Sequence, residues 1–470
     1  MMRTYLQMDS LGNRIVNLLN ACTSSTQLHQ IQAQILVNNL HPNTKIHSHF
    51  IHASESLGLL NSALLFFNQL QKPHVFICNS LIRAFSHSCS PQTSVSVYTR
   101  MLNASVSPNH FTFPFLLKSL SDLRYLDQGR SIHSQILKLG HLNDIYVQNS
   151  LLNVYASCGD MCTCQQVFYE MPQRDAVSWT VLIDGNRNSG ELDEALITFE
   201  RMLYSGVSPN RVTMVNALSA CACSGALEMG VWIHDFITKN SWELDVILGT
   251  SLVDMYTKCG RIDVGLSVFQ NMHQKNVFTW NALIKGLALA KSGKEALLWF
   301  FRMETEGIKP DEVSLLGVLC ACSHSGLVEV GKQIFNSMVD GRYGFSPGPK
   351  HYSCMIDMLG RAGYLQEAFE FMGKMPFEPN KVMCGAFLAG CRAHGNLELS
   401  EIAGKKLVEV EPENGAYYVL LSNLYAEMER WDDVERVRLL MKERGLRKDL
   451  GCSSIELKEP TNHVYELLAV

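Results

Sequence analysis

No stretch of 18 or more apolar residues occurs in this chain, which excludes a transmembrane helix. No C-x-x-C pair and no H-x-E triplet occurs either, so the usual spacing of zinc ligands is missing and no metal or cofactor is expected. Charge is sparse. Charged residues make up 18% of the 470, and 40 basic against 45 acidic side chains leave a formal net charge of −5. That excludes a disordered polyampholyte and a strongly basic tail. What is plentiful is apolar residues, at 47%, and cysteine, at 15. An odd number of cysteines spread over a long chain does not read as a secreted disulfide scaffold. Small apolar residues packed between helices in a reducing compartment is the expectation. The first 30 residues hold Arg3, Arg14 and one acid, Asp9, without a secretory h-region, which is compatible with an organelle transit peptide.

Self-comparison gives the strongest signal. Val75-Phe76-Ile77-Cys78-Asn79 aligns with Ala176-Val177-Ser178-Trp179-Thr180 and with Val277-Phe278-Thr279-Trp280-Asn281, at spacings of 101 residues. These segments end at Ser107-Pro108-Asn109, Ser208-Pro209-Asn210 and Lys309-Pro310-Asp311. A second class carries Ser150-Leu151-Leu152-Asn153-Val154-Tyr155 and Ser251-Leu252-Val253-Asp254-Met255-Tyr256; a third carries Leu218-Ser219-Ala220-Cys221 and Leu319-Cys320-Ala321-Cys322. The period is a triplet of 35, 35 and 31 residues. The register runs without gaps through 9–43, 44–74, 75–109, 110–144, 145–175, 176–210, 211–245, 246–276, 277–311, 312–348 and 349–380. Eleven tandem repeats thus span 9–380 after a short segment 1–8. Degenerate repeats at 381–414 and 415–448 and a tail at 449–470 follow.

Each repeat reads as two helices. In 176–210 the second carries Ala195, Leu196, Phe199, Met202 and Leu203 on one face; in 277–311 the same face is Ala296, Leu297, Phe300 and Met303. Gly190 marks the turn, and Gly206 with Pro209 ends the repeat. One such hairpin cannot bury its face alone, but stacked neighbours can, so an all-α solenoid with a long concave surface is expected. The Met and Phe stripes are read as core. Gly326 to Gln333 nearly fits a phosphate-binding loop, but Gln333 stands where Ser or Thr is needed, no strand precedes it, and Gly225 and Gly230 repeat its spacing. Asn103-Ala104-Ser105 fits a glycosylation acceptor in a chain with no sign of secretion.

At these residues the sequence resembles the pentatricopeptide repeat family. The alternation of 35, 35 and 31 residues is similar to its plant P-L-S subclass. His351-Tyr352-Ser353-Cys354-Met355 and Leu359-Gly360-Arg361-Ala362-Gly363 resemble the last S-type repeat. Segments 381–414 and 415–448, with Gly390-Cys391-Arg392 and Leu421-Ser422-Asn423, resemble the E1 and E2 motifs. Gly451 to Glu456 resembles the start of the E+ region, with Ser454 where the family usually has Trp. The resemblance implies a right-handed superhelical α-solenoid that reads single-stranded RNA one base per repeat.

The family's reading positions are the fifth and last residues of a repeat. Carried over, they give Asn79 with Asn109, Asn149 with Asp175, Thr180 with Asn210, Thr250 with Asn276, Asn281 with Asp311, and Ser353 with Asn380. Each pair is Asn, Thr or Ser followed by Asn or Asp, as hydrogen-bond readout requires, although Asn and Asp after Pro also serve as caps of the next helix. The second residue is expected to cradle the base: Phe76, Tyr146, Val177, Ile247 and Phe278. The repeat at 44–74 departs from the pattern, with Lys45 second and Ser48 with His74 as the pair. The L-type repeats put Pro114, Val215 and Leu316 fifth, which are weak readers. The family's code implies the sequence NNYNUANAUNA, then three unread bases, then an edited cytidine. The pI of about 6.3 is not the basic footprint of a phosphate binder, so backbone contacts would need local cations such as Lys258 and Arg361.

The resemblance therefore implies a non-catalytic specificity factor for C-to-U editing of organelle transcripts. It lacks the H-x-E and C-x-x-C signature of zinc deaminases. The deaminase would come in trans from a DYW-type family member among other editing-complex subunits; no membrane partner is expected. A mitochondrial location is favoured, with the chloroplast as alternative. A protein-binding helical scaffold, or a factor for organelle RNA splicing or stability, stays open.

Overall fold

The computed structural model describes residues 2–38, 40 and 43–446, with side chains from residue 11 onward. The tail at 449–470, with Ser454, lies outside the described residues. All regular structure among the described residues is helical, and the chain is an all-α helical-repeat solenoid. It divides into two compact units, 1–259 and 260–470.

The first unit contains α1 (Met2–Asn20), α2 (Ser25–Val37), α3 (Thr44–Ser56), α4 (Leu60–Asn68), α5 (Val75–Ser86), α6 (Gln92–Asn103), α7 (Thr112–Leu123) and α8 (Leu126–Lys138). It continues with α9 (Ile145–Ser157), α10 (Met161–Glu170), α11 (Ala176–Asn188), α12 (Leu192–Tyr204), α13 (Arg211–Ser224), α14 (Leu227–Lys239) and α15 (Val246–Lys258). Odd-numbered helices pack against one another in succession from α1 to α15. From α4 to α14, each even-numbered helix packs between the odd helices before and after it. One layer is therefore made of first helices and the other of second helices.

The second unit contains α16 (Ile262–Asn271), α17 (Val277–Leu289), α18 (Gly293–Thr305), α19 (Glu312–Ser325), α20 (Val328–Val339), α21 (Pro349–Arg361), α22 (Leu365–Gly373), α23 (Lys381–Ala393), α24 (Leu397–Val410), α25 (Gly415–Glu427) and α26 (Trp431–Glu443). Here α17, α19, α21 and α23 form the continuous layer. The last hairpin joins differently: α25 packs on α24 and α26 around its own small core of Tyr418, Leu421, Leu424, Tyr425, Val434 and Val437.

The expected stripes are core. Ala195, Phe199 and Met202 are fully buried, as are Ala296, Phe300 and Met303. Leu203 is half-buried at the edge of its stripe. The fourth residue of a repeat anchors the first helix to the preceding second helix: Trp179 meets Phe168 edge-on at 4.7 Å, and Trp280 meets Phe269 at 4.9 Å. Gly190, at φ 85°, turns the chain between α11 and α12 in a conformation that a side chain would strain. Gly360 and Gly390 let α21 and α23 touch backbone to backbone; a Cβ at Gly390 would stand 2.7 Å from Gly360 Cα.

Cys78, Cys164, Cys221, Cys322, Cys384 and Cys391 are buried, and burial pushes the thiols of Cys164, Cys221 and Cys322 up to about 12. These are packing residues. The loop-like stretch from Gly326 is a helix junction. Gly326, at φ 67°, is the left-handed cap of α19, and Gly331 lies in α20 where any side chain would strike Met358. Lys332 is paired with Glu329 and Glu367.

Candidate nucleic-acid interface

In each unit the first turns of the odd-numbered helices present apolar residues to solvent. Phe76, Tyr146, Val177, Ile247 and Phe278 are between 48% and 73% exposed. Large apolar side chains displayed at one register position, repeat after repeat, are what a ligand-binding row requires and what a core does not supply. The L-type repeats expose apolar residues at the same register position, Phe111 and Val212 in the first unit and Val313 in the second, which the pattern of fifth residues had set aside.

Beside each apolar residue sits the fifth residue, and three of the expected pairs are joined directly. Asn79 Nδ2 donates to Asn109 Oδ1 at 3.0 Å. Asn149 Nδ2 donates to both oxygens of Asp175, at 3.2 and 3.3 Å. Asn281 Nδ2 donates to Asp311 Oδ1 at 2.9 Å. A carboxylate only accepts, so Asp175 and Asp311 oblige the amide nitrogen to face them. Asn149 and Asn281 are buried at the foot of the exposed row.

The other pairs differ. Thr180 is linked to Asn210 through a relay: its hydroxyl oxygen lies 2.6 Å from that of Thr213, which reaches Asn210 Oδ1 at 3.0 Å. The Thr250 hydroxyl donates to the Val246 carbonyl within the first unit, while Asn276 caps α17 in the second. Ser353 donates back to the Pro349 carbonyl, and Asn380 accepts the amides of Val382 and Met383; no hydrogen bond joins the two. In the departing repeat, His74 caps α5 through the Phe76 amide, and Lys45 reaches Asn13.

The last residue of a repeat is also the cap of the next first helix. Asp175, Asn210, Asn276 and Asp311 each accept the amide three residues on, and the residue there returns a hydroxyl to the cap's own amide. Such caps contribute about 1 kcal/mol each. The capping role and the contact to the fifth residue belong to the same side chain, so neither excludes the other.

A third residue completes the cluster. Thr112, Ser178, Thr213, Thr279 and Ser314, third in their repeats, are fully buried. Thr112 donates to Asn79 Oδ1 at 2.8 Å, and Ser314 lies 2.6 Å from Asn281 Oδ1. Ser178 instead donates to Asp175 at 2.7 Å, which leaves Asn149 Oδ1 buried without a partner. An orphaned buried acceptor costs about 1–3 kcal/mol unless a ligand reaches it. The signal for this third residue was in the sequence: Ser or Thr stands third in every repeat from 110–144 to 312–348 except 145–175 and 246–276.

Burial works against ionising the Asp175 carboxyl. Bonds from the Ser178 amide and hydroxyl and from Asn149 outweigh it and hold the group below its usual range. The candidate phosphate contacts are already neutralised on their own helices: Lys258 pairs with Asp254 at 2.7 Å, and Arg361 with Asp357 at 2.8 Å. Among the described residues, no group of three or more His, Cys, Asp or Glu could hold a metal ion, and no helix is long and apolar enough to cross a membrane.

The family model described as PPR repeat matches residues 177–207, 250–277, 278–308 and 350–378, and that described as E motif matches 394–456. A pentatricopeptide repeat-containing protein of Arabidopsis thaliana is 40% identical over 95% of this chain and 77% of its own length. The chain belongs to the pentatricopeptide repeat family. It is a plant protein of the P-L-S class that carries an E motif. A second Arabidopsis pentatricopeptide repeat protein, named as mitochondrial, is 37% identical over 95% of this chain and 86% of its own. A third, named as chloroplastic/mitochondrial, is 37% identical over 94% and 72%. Among solved structures, the maize pentatricopeptide repeat protein PPR10 in complex with an 18-nucleotide psaJ RNA element superposes with a TM-score of 0.69 at 16% identity. That match covers 89% of this chain and 64% of the other, and it speaks to the fold.

Proposed function

We propose that this pentatricopeptide repeat protein binds single-stranded organelle RNA in a sequence-specific manner and marks a cytidine for C-to-U editing. The observation that carries the reading is the repeated cluster of fifth residue, last residue and third-residue hydroxyl beneath an exposed apolar side chain. An apolar face above oriented amide donors suits an unstacked base, which offers one π-face and one polar edge. Asn149 with its unpartnered Oδ1 is an acceptor waiting for a donor. That PPR10 is seen with an RNA element supports the same reading.

On this reading Asn281 with Asp311 selects uracil, Ser353 with Asn380 selects adenine, and the target reads NNYNUANAUNA, three bases, then the edited C. The E motif supports editing over other RNA processing. Deamination is assigned to a DYW-bearing partner, and relatives named for mitochondrion and chloroplast support an organellar setting, with the mitochondrion proposed. Sequencing of organelle RNA from plants lacking the protein is the test. Loss of editing at one or a few cytidines preceded by that sequence is expected. Intact editing with altered intron removal or transcript ends would move the protein to splicing or stability. Unchanged organelle RNA would favour a protein-binding scaffold.

A further inference from the structure

Two thiols stand apart from the buried cysteines. Cys320 in α19 and Cys354 in α21 face each other with sulfurs 3.2 Å apart, inside ordinary sulfur–sulfur contact. Both are partly exposed and reduced, and the helices that carry them pack directly on each other. Packing does not require sulfur here. At the same register positions three repeats earlier stand Ser219 and Ser251, so the fold accepts hydroxyls at both places. The surroundings divide the two roles. The hydrogen bond from Cys354 draws the Cys320 thiol downward against burial and the nearby Asp357, and Lys285 adds to that pull. Cys354, holding the shared proton, is pushed upward by the same bond and by burial. Low-pKa thiols beside a resolving partner are the reactive kind, whereas singly buried ones are inert.

We propose that Cys320 and Cys354 form a reversible redox dithiol whose oxidant is a low-molecular-weight disulfide. The Cys320 thiolate attacks one sulfur of the small disulfide and breaks its S–S bond, releasing one small thiol. Cys354 then attacks the Cys320 sulfur, breaks the mixed disulfide and releases the second small thiol. The protein pair loses two electrons and two protons; the small disulfide gains both. Closing the sulfurs to a bond of about 2.05 Å needs a shift of roughly 1 Å. The bond would tie the first helices of two successive repeats together next to Ser353. This assignment does not depend on the RNA reading.

The test uses the full-length protein equilibrated in glutathione buffers of increasing oxidised fraction, trapped with N-ethylmaleimide and mapped by peptide mass spectrometry. The expected product is a cross-linked peptide joining Cys320 to Cys354, lighter by two hydrogens, that disappears with added dithiothreitol. The C320S and C354S proteins should each lose it, and C322S should keep it, which separates Cys320 from its neighbour. Circular dichroism of the three variants checks that they fold, but the wild-type map decides by itself. Glutathione adducts confined to the exposed Cys89, Cys162 and Cys223, with Cys320 and Cys354 still alkylated separately in the most oxidising buffer, would overturn the proposal.

Discussion

Asn281 and Ser353 hold the same place in two repeats of one compact unit, yet they are built differently. Asn281 is locked in a closed cluster. Its nitrogen faces Asp311, its oxygen faces Ser314, and Asp311 also caps α19. Ser353 spends its hydroxyl on its own helix, and Asn380 caps α23 without touching it. The reason lies one repeat further on. Ser314 supplies a third-position hydroxyl to the first pair, whereas Met383 is third after Asn380 and cannot. The polar cluster around a fifth residue is therefore built by two adjacent repeats: the last residue of the first holds the amide nitrogen, and the third residue of the second meets its oxygen.

The comparison breaks most visibly at the caps. Asp311→Ala removes a cap and strands the Asn281 amide nitrogen, for a local loss of about 2–4 kcal/mol. Asn380→Ala removes only a cap, about 1 kcal/mol. Amide hydrogen exchange across α19 and α23 should show that difference; equal losses would mean that the cluster adds nothing to the cap. Ser314→Ala is expected to cost about 1 kcal/mol and to loosen the Asn281 amide, whose oxygen loses its hydroxyl donor while Asp311 still holds the nitrogen. RNA titrations of this variant should show discrimination between uracil and adenine falling several-fold at that position and unchanged at the Ser353 position. An equal fall at both would reject the positioning role of Ser314.

The smallest effect is a pH dependence. Asp175 has a folded pKa below its ordinary 3.8. The stability it contributes is fully present above the unfolded value and is lost as pH falls through the lower folded value. Exchange protection in the first turn of α11 should therefore fall only in strongly acidic buffer, and Asp175→Asn should abolish that dependence. A loss near neutral pH would contradict the hydrogen-bond account.

Much of this was legible in the sequence because a repeat states its own register. The 101-residue spacing located Phe199 and Phe300 in the core, and the family's second position pointed to Phe76, Tyr146 and Phe278, which are exposed. The sequence offered Asp175 and Asp311 as caps of the next helix, and in the structure they are caps and also partners of the fifth residue. What stayed hidden was contact across repeats. Nothing in a linear pattern of Ser and Thr says that Thr112 reaches back to Asn79 while Ser178 turns to Asp175 and leaves Asn149 Oδ1 alone. The pairing of Lys258 and Arg361 is legible in the Asp four residues before each. Proximity of Cys320 to Cys354 had no sequence signal, because their separation follows the irregular length of repeat 312–348.

The most direct test of the account is a paired titration of the purified protein. One RNA carries NNYNUANAUNA, and the other exchanges U and A at the positions assigned to Asn281 with Asp311 and Ser353 with Asn380. The account predicts tighter binding to the first by at least about tenfold, since well-placed hydrogen bonds to a base edge discriminate by about 1–3 kcal/mol each. Equal affinity for both would contradict the reading pairs, and binding to neither would contradict RNA recognition by this face.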